Sequence, residues 1–305
     1  MKRILKWTGV TAFFFVIFTI ILDLALGYLL FNFAFGKTGL ASLYNENVGT
    51  PDTEWFSDNN TQILHEKADD GTNLVARYVP SEKPSNKTMI VVHGYGSNSE
   101  EMEAFIKIFH ADGYNVLAPD NQSFGGSGGK YIGYGVKDAT NLEKWARVMN
   151  SDHPGGELGL FGTSMGASAV MYSLPKMPSN VKFAIEDSGY ASVEGELGGQ
   201  LKRLFNIPSF PLVPTVNLYV KTLAKYNMND GNTKKTLKHN QIPLFIIHGD
   251  ADKFVPVKNA YENYRNDAGP KQIWIIKGAG HIESRSQDPD TYTQKVTDFA
   301  QQYFK

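Results

Sequence analysis

The sequence contains no cysteine, no H-E-x-x-H motif and no acidic calcium loop, so no pattern in it indicates a metal site or a cofactor. Its formal net charge is -1, and without a basic stripe it gives no electrostatic case for binding nucleic acid. Internal repeats and low-complexity segments are also absent, which argues against a solenoid or scaffold. The 305 residues are 42% hydrophobic, enough for the core of one α/β catalytic domain.

The most informative motif is a G-x-S-x-G sequence centred on Ser164. It lies between a short apolar run at residues 157–160 and a helix-forming stretch at residues 167–174. This strand-turn-helix context is typical of a nucleophile elbow, in which a side chain at Gly162 or Gly166 would strike the adjoining strand or helix. We predict that Ser164 is a catalytic nucleophile; the plainer interpretation is an ordinary turn serine.

A catalytic acid is expected beyond a later strand, since the chain order of such sites is Ser, then Asp or Glu, then His. Residues 242–247 form an apolar run bounded by polar residues, which predicts a buried parallel strand ending near Asp252. Asp252 is therefore the predicted acid. Asp250, two residues earlier, and Asp187, after a strand-like run at residues 181–185, remain alternatives.

The predicted base follows the next apolar run. Residues 272–276 are followed by a glycine-rich loop that carries His281, and a histidine there can approach the serine. The alternative is that His281 caps a loop. Upstream, the apolar run at residues 88–92 leads into a loop beginning at His93, and backbone N–H groups of such a loop can stabilise an oxyanion. We predict that His93 and His248 are structural, tying loops together through ring hydrogen bonds.

The order of these features resembles that of the α/β-hydrolase superfamily, over about residues 60–305. Residues 186–193 and 208–211 are similar to membrane-anchored or secreted hydrolases of low-GC Gram-positive bacteria, related to the serine aminopeptidase and monoacylglycerol lipase branch. The chain departs from the family pattern D-x-R-G-x-G-x-S, because Gln122 replaces its arginine and Ser123 a glycine. The resemblance implies an α/β fold, with a doubly wound, mostly parallel sheet, helices on both faces and a small cap insertion.

The resemblance also implies roles for the predicted site residues. His281 would remove the proton from Ser164 and return it to the leaving group, while Asp252 would orient the imidazole and stabilise its cation. The backbone N–H groups of Tyr95 and Met165 would form the oxyanion hole. These roles describe a serine hydrolase.

The amino terminus contains a second strong signal. Residues 1–6 are basic, and residues 7–36 are uncharged except for Asp23. This uncharged run is long enough to cross a bilayer. The positive charges predict a cytoplasmic amino terminus and a catalytic domain outside, and the absence of cysteine is compatible with export. Asp23 near the middle of the span would cost about 2.5 to 3.5 kcal/mol. The alternative is a secretory signal cleaved near residues 25–27.

The rest of the chain is predicted to form one hydrolase domain at residues 61–305, after an N-terminal signal anchor at 1–36 and a lead-in segment at 37–60 that places the domain away from the lipid. Its first element would be an antiparallel hairpin over residues 63–79. A cap over Ser164 is expected at about residues 190–240, where three prolines interrupt an apolar, partly helical stretch.

The apolar residues of this cap favour an ester or lipid-like substrate. We expect its acyl pocket to be built from Leu197, Leu201, Leu204, Phe205, Phe210, Leu212 and Val213. An aminopeptidase or amidase is the alternative, with Glu194 and Glu196 binding a free amine, and a non-catalytic binding protein is a minor one. The expected partners are a small acyl ester or short peptide and, through the N-terminal helix, a membrane.

Overall fold

The computed structural model describes residues 2–40 and 51–305. Part of the predicted lead-in, residues 41–50, lies outside the described residues. The strands are β1 (Gln62–Lys67), β2 (Asn73–Val79), β3 (Lys87–Val92), β4 (Asn115–Asp120), β5 (Glu157–Thr163), β6 (Val181–Asp187), β7 (Leu244–Gly249) and β8 (Lys271–Ile276). The helices are α1 (Lys2–Phe35), α2 (Thr53–Asp58), α3 (Glu103–Ala111), α4 (Val136–Asp152), α5 (Met165–Ser173), α6 (Val193–Phe205), α7 (Leu212–Tyr219), α8 (Thr233–Thr236), α9 (Lys258–Asn266), α10 (Ser284–Gln287) and α11 (Pro289–Tyr303).

The strands form one sheet in the order β1-β2-β4-β3-β5-β6-β7-β8. The β1-β2 hairpin is antiparallel, as predicted from residues 63–79, and β2 also pairs antiparallel with β4. All later pairs are parallel. The chain winds outward in opposite directions from β3, so the carboxyl ends of β3 and β5 meet at a topological switch point, where ligands bind in open α/β sheets.

Both faces of the sheet are buried, because successive strand side chains point to opposite sides. Met89 and Val91 pack with residues of α3 and α11, whereas Ile90 and Val92 pack with residues of α4 and α5 on the other face. The predicted fold class is therefore confirmed, with helices on both faces of a mostly parallel sheet.

The two halves of α1 have different surroundings. Val10–Phe35 has a mean hydropathy of 2.4 and is long and apolar enough to cross a membrane. Side chains from residue 10 to residue 22 are exposed, whereas Phe31, Ala34 and Phe35 are buried in a third apolar core that they share with the cap helices. The second half of α1 thus packs directly on the cap region of the α/β domain.

The region predicted to be a cap contains α6, α7, a π-helical turn at Val220–Ala224 and the short helix α8. Ser192 caps the N-terminus of α6, and its side chain accepts a hydrogen bond from the Gly195 amide. Asn206 caps the C-terminus at a left-handed φ of 55°. Both are common helix caps. This region lies over the carboxyl end of the sheet and encloses the predicted nucleophile.

Candidate active site

Ser164 occupies the sharp turn between β5 and α5. Its backbone has φ 51° and ψ -115°, a conformation that costs a non-glycine residue about 1 to 3 kcal/mol. A Cβ atom on Gly166 would lie 2.2 Å from the Val92 carbonyl oxygen, and one on Gly162 would lie 2.5 Å from the Gly166 backbone. The glycines therefore allow the close contact of strand and helix that holds the serine in this strained turn.

Three predicted site residues from distant parts of the chain form a hydrogen-bonded series. Ser164 Oγ lies 2.9 Å from His281 Nε2, and His281 Nδ1 lies 2.7 Å from Asp252 Oδ2. Ser164 and Asp252 are buried, and 12% of the His281 side chain is exposed. The histidine thus has one ring nitrogen at the serine hydroxyl and the other at a carboxylate, the arrangement that a general base requires.

The loop after β7 fixes the Asp252 carboxylate. Its Oδ1 accepts hydrogen bonds from the Phe254 and Val255 amides, both at 2.8 Å, and His248 Nε2 lies 3.3 Å from Oδ2. Burial acts to raise the pKa of Asp252, but hydrogen bonds from His248 and His281 outweigh it and hold the pKa well below its usual range. The carboxylate therefore stays ionised beside the imidazole.

The two alternative acids lie elsewhere. Asp250 is exposed and accepts a hydrogen bond from the Gly278 amide at 2.6 Å. Asp187 is buried at the end of β6, where it accepts hydrogen bonds from the hydroxyls of Ser188, Ser284 and Tyr292. The structure therefore places Asp252, and neither alternative, against His281.

Two further histidines connect loops around the site. His93 donates from Nδ1 to the Gly94 carbonyl at 2.7 Å and accepts from the Asn121 amide at Nε2 at 2.9 Å; burial lowers its pKa. His248 Nε2 bonds to the Val255 carbonyl at 2.8 Å as well as approaching Asp252. Both therefore make the ring hydrogen bonds expected of them, and His248 additionally supports the carboxylate.

The loop that departs from the family pattern is closely packed. Ser123 adopts a φ of 78°, which favours glycine, and its hydroxyl donates to the Tyr131 carbonyl at 3.0 Å. Gln122 Nε2 donates to Asp70 Oδ2 at 3.0 Å, and the Asp120 carboxylate accepts from the Ser99 amide at 2.7 Å. Of the two substituted residues, Ser123 thus forms a hydrogen bond within the loop, and Gln122 joins the loop to the β1–β2 turn.

A cavity of about 360 Å³ begins at Ser164, a volume within the range of small-ligand sites. Met165, the first residue of α5, and Tyr95 line it beside the serine. Amides in the first turn of a helix have no partner within the helix, which makes the Met165 N–H suitable for an oxyanion. Both predicted oxyanion residues are therefore adjacent to the nucleophile.

The walls of the cavity are mainly apolar. Four of the seven predicted acyl-pocket residues contribute: Leu197, Leu201, Leu204 and Phe205. Phe210, Leu212 and Val213 are not among its lining residues. Glu196 also lines it; burial raises the pKa of this carboxyl to about 7, although Gln200 donates a hydrogen bond to it. Glu194 is exposed.

The opposite wall comes from an element that sequence reasoning did not place at the site. Leu30, Phe33 and Ala34 of α1 line the cavity, and the Tyr95 hydroxyl donates to the Ala34 carbonyl at 2.8 Å. The available signal was the length of the apolar run, which extends through Phe35 and exceeds the roughly 20 residues that a bilayer needs.

Within residues 2–40 and 51–305, no group of three or more His, Asp or Glu side chains is arranged to hold a metal ion. At the cavity, the Ser164 hydroxyl lies beside the N-terminus of α5 and is hydrogen-bonded to the imidazole of His281, which is in turn hydrogen-bonded to the carboxylate of Asp252. These are the group types that acyl transfer requires.

The comparisons with known proteins agree with this architecture. Residues 83–225 match the family model for serine aminopeptidase S33. The chain is 28% identical over 222 residues to the YqkD protein of Bacillus subtilis, covering 72% of each chain. It is 25% identical over 240 residues to YfhR of Escherichia coli, covering 76% of this chain and 78% of YfhR.

Solved structures are similar at lower identity. The Pyrococcus furiosus esterase Pf2001 aligns with a TM-score of 0.69 at 23% identity, covering 86% of this chain and 99% of the esterase. The Pyrococcus horikoshii acylaminoacyl peptidase aligns with a TM-score of 0.60 at 17% identity, covering 80% of this chain and 42% of the peptidase. Together with the sheet order and the nucleophile turn, these matches support a hydrolase with the α/β-hydrolase fold, and residues 83–225 match the family model of the serine aminopeptidase S33 branch.

Proposed function

We propose that the protein is a serine hydrolase that cleaves carboxylic esters through a covalent acyl-enzyme formed on Ser164. The observation that carries the proposal is the hydrogen-bonded series from Ser164 Oγ through His281 to Asp252, at 2.9 and 2.7 Å, opening into an apolar cavity. His281 takes the serine proton as the hydroxyl attacks the acyl carbonyl, and then donates it to the leaving alcohol. Water hydrolyses the acyl-enzyme with the same histidine as base.

Stabilisation of the tetrahedral oxyanion is assigned to the Met165 and Tyr95 amides. One such donor lowers the activation free energy by about 3 to 4 kcal/mol. His93 holds the loop that carries Tyr95, because its ring joins the Gly94 carbonyl to the Asn121 amide. Asp252 remains ionised, and its charge stabilises the imidazolium that forms during each step.

An ester is the favoured substrate because the cavity walls are mainly apolar, and the structural likeness to Pf2001, which is named an esterase, supports the same class. Glu196 favours the second candidate, an aminopeptidase or amidase, since its carboxyl lines the cavity and could bind an amine. The S33 family match and the likeness to a protein named as an acylaminoacyl peptidase support that candidate. It ranks second because Glu196 is already hydrogen-bonded by Gln200 and its pKa, raised to about 7, leaves it only partly ionised near neutral pH.

The proposal includes the location of the enzyme. Residues 1–36 form an N-terminal membrane anchor, residues 37–60 a lead-in segment, and residues 61–305 the hydrolase domain outside the cytoplasm. The long apolar helix and the basic residues before it support this arrangement.

The test is hydrolysis of p-nitrophenyl esters by the full chain in detergent, with an aminoacyl p-nitroanilide in parallel. Ester turnover that falls by at least about 10³-fold in Ser164→Ala supports the proposal. Turnover of the anilide alone would replace it with the aminopeptidase. Absence of both activities, with Ser164 unlabelled by a fluorophosphonate probe, would contradict a catalytic serine. Ser173→Ala is the matched control, because it removes a buried hydroxyl at the far end of α5 that donates to the Val170 carbonyl of the same helix.

A further inference from the structure

The docked half of α1 is fastened to the cap by specific contacts. Thr215 Oγ1 of α7 donates to the Asp23 carboxylate, and the Tyr219 hydroxyl donates to the Leu24 carbonyl at 3.0 Å. Gly27 faces Thr215 so closely that a Cβ atom would lie 2.5 Å from the threonine methyl group. Polar anchors and close helix packing together fix the position of this helix relative to the domain.

This fastening brings α1 to the nucleophile. Leu30, Phe33 and Ala34 line the cavity that begins at Ser164, and Leu197 and Leu201 of α6 line it as well. The acyl chain of a substrate bound at Ser164 would therefore lie between the membrane helix and the cap.

The length of α1 defines where the bilayer would end. The uncharged stretch before Asp23, residues 7–22, spans about 24 Å at 1.5 Å per residue, and a bilayer whose hydrocarbon core is roughly 30 Å accommodates a shorter span by local thinning. The side chains of residues 10–22 are exposed, as a lipid-facing segment requires. Asp23 is at the middle of the apolar segment Val10–Phe35, as expected from the sequence, and its contact with the Thr215 hydroxyl would put the lipid boundary at this point of the helix.

The cap exposes apolar side chains, two of which line the cavity together with the docked half of α1. Leu204 is 57% exposed, Phe205 54% and Phe210 77%. Helix α7 runs in the same direction as α1, because Thr215 contacts Asp23 and the later Tyr219 contacts Tyr28. The α6–α7 loop with Phe210 precedes α7 and thus lies toward the lipid end of the docked half.

Leu204 and Phe205 belong both to this exposed surface and to the lining of the cavity. An apolar surface that continues from a membrane helix to the mouth of an apolar cavity fits a lipid leaflet as its occupant, since such surfaces lie at the boundary between headgroups and acyl chains.

We propose that the membrane helix is part of the substrate site: the acyl chain of an ester lipid in the bilayer passes along the exposed cap residues and binds against Leu30 and Phe33 of α1. Selectivity for the acyl chain is then set by residues of the anchor itself. The inference rests on the proposed serine hydrolase function and identifies its substrate class as membrane-resident ester lipids. It also requires that the helix is retained, because cleavage near residues 25–27 would separate the lipid-spanning half from the wall of the site.

The experiment uses the full chain reconstituted in phosphatidylcholine–phosphatidylglycerol vesicles. Two probes are compared: 4-methylumbelliferyl butyrate added to the water phase, and 4-methylumbelliferyl oleate incorporated in the same vesicles. Leu30→Trp fills the cavity from the α1 side, and Leu29→Trp is the matched control, since Leu29 is 64% exposed on the neighbouring position. Fluorophosphonate labelling of Ser164 verifies that each variant retains its site.

We expect Leu30→Trp to lower oleate hydrolysis by about tenfold or more while butyrate hydrolysis changes less than about threefold, because overpacking excludes the long chain first. Leu29→Trp should leave both rates within about twofold. Equal oleate-to-butyrate ratios in the two variants would overturn the inference. If Leu30→Trp is not labelled by the probe, Phe33→Ala replaces it. Phe33→Ala widens the cavity and should alter the ratio of oleate to butyrate hydrolysis by about threefold or more. An unchanged ratio would equally overturn the inference.

The outcomes separate the inference from the function on which it rests. Butyrate hydrolysis without oleate hydrolysis by the wild type would overturn the lipid substrate and leave the serine hydrolase in place. Failure of both substrates, with no labelling of Ser164, would contradict the proposed function itself. A further comparison tests whether the substrate enters from the bilayer. The oleate ester supplied in separate vesicles should be cleaved at least about tenfold more slowly than the same ester in the enzyme's own vesicles, because transfer of a long acyl chain from a bilayer to water is unfavourable. Equal rates would contradict access along the leaflet.

Discussion

The two sides of the Ser164 cavity are built in different ways. On one side, Ser164, Asp252 and His281 follow the carboxyl ends of β5, β7 and β8, and hydrogen bonds join the three side chains. On the other side, Leu30 and Phe33 come from a helix near the beginning of the chain that is held by packing against α7. In the proposed function, the first side provides the chemistry and the second provides part of the shape of the acyl site. A strand-end motif therefore predicts the reaction, whereas selectivity would depend on contacts between distant parts of the chain.

The largest effect is expected from a change on the chemical side. Asp252→Asn should lower kcat for a short ester by about 10³ to 10⁴-fold, because the amide no longer fixes the imidazole in the correct tautomer or stabilises its cation. Asp250→Asn, in the same turn, is the matched control and should retain nearly full activity, since Asp250 bonds to the Gly278 amide and not to His281. Stopped-flow measurement of p-nitrophenol release gives kcat for both variants.

The opposite ranking, with Asp250→Asn less active than Asp252→Asn, would mean that Asp250 and not Asp252 is the catalytic acid. Circular dichroism of both variants checks that the fold is retained. The chain-length preference should not change in Asp252→Asn, because the acyl pocket is on the other side of the cavity. A changed preference would mean that the two sides are not independent.

An intermediate effect is expected where α1 is fastened. Thr215→Val removes the hydrogen bond to Asp23 and leaves that carboxylate at the cap surface without its hydroxyl donor. Bonds to charged groups contribute about 1.5 to 3 kcal/mol, and partial exposure reduces this, so we expect a loss of about 1 to 2 kcal/mol, or a few degrees in Tm. Thermal melting of the full chain in detergent measures it.

Thr222→Val is the matched control for this change. The Thr222 hydroxyl donates to the Leu218 carbonyl at 2.8 Å within its own helical segment, and the residue is exposed. Its Tm should change by less than about one degree. Should both variants have the same Tm, the Asp23 contact would contribute nothing to the docking of α1. The position of the α1 wall of the cavity would then depend on apolar packing alone.

The sequence was informative about the sheet and the catalytic order for a physical reason. Buried parallel strands are continuous apolar runs, and the residue types that follow them lie at one edge of the sheet. The strand predicted from residues 242–247 is β7, and the helix expected after Ser164 is α5. The choice between Asp250 and Asp252 could not be made from residue type, because both lie in one turn; the structure distinguishes them by the amides of Phe254 and Val255 that hold Asp252. Its role as the catalytic acid stays a prediction.

The docked half of α1 could not be predicted in the same way. A helix that is apolar all round has no face to distinguish lipid contact from protein contact, because lipid tails and protein interiors are similarly apolar. Phe31 and Phe35 are buried in protein, whereas Phe14 and Phe18 on the same helix are exposed. The excess length of the apolar run indicated a second partner for the helix but did not identify the cap.

The smallest expected effect concerns Glu196, an acidic residue that lines the cavity. Burial raises its pKa to about 7, so the neutral form dominates at pH 6 and the charged form at pH 8.5. A charge in an apolar pocket disfavours an acyl chain, and KM for a long-chain ester should therefore rise by about three- to tenfold over this range in the wild type. Glu196→Gln keeps an oxygen for the Gln200 hydrogen bond and should remove the rise.

Glu194→Gln is the matched control, because Glu194 is exposed on the same helix and its substitution should leave the pH profile of KM unchanged. The direction of the profile also separates the two candidate functions. Ionised Glu196 would attract a protonated amine, so KM for an aminoacyl anilide would fall between pH 6 and about 7.5, below the pKa of the α-amino group, while KM for the ester rises. If KM for the ester is flat in the wild type, Glu196 does not face the bound chain, and the acyl group would then lie closer to Leu30 and Phe33 of α1 than to α6.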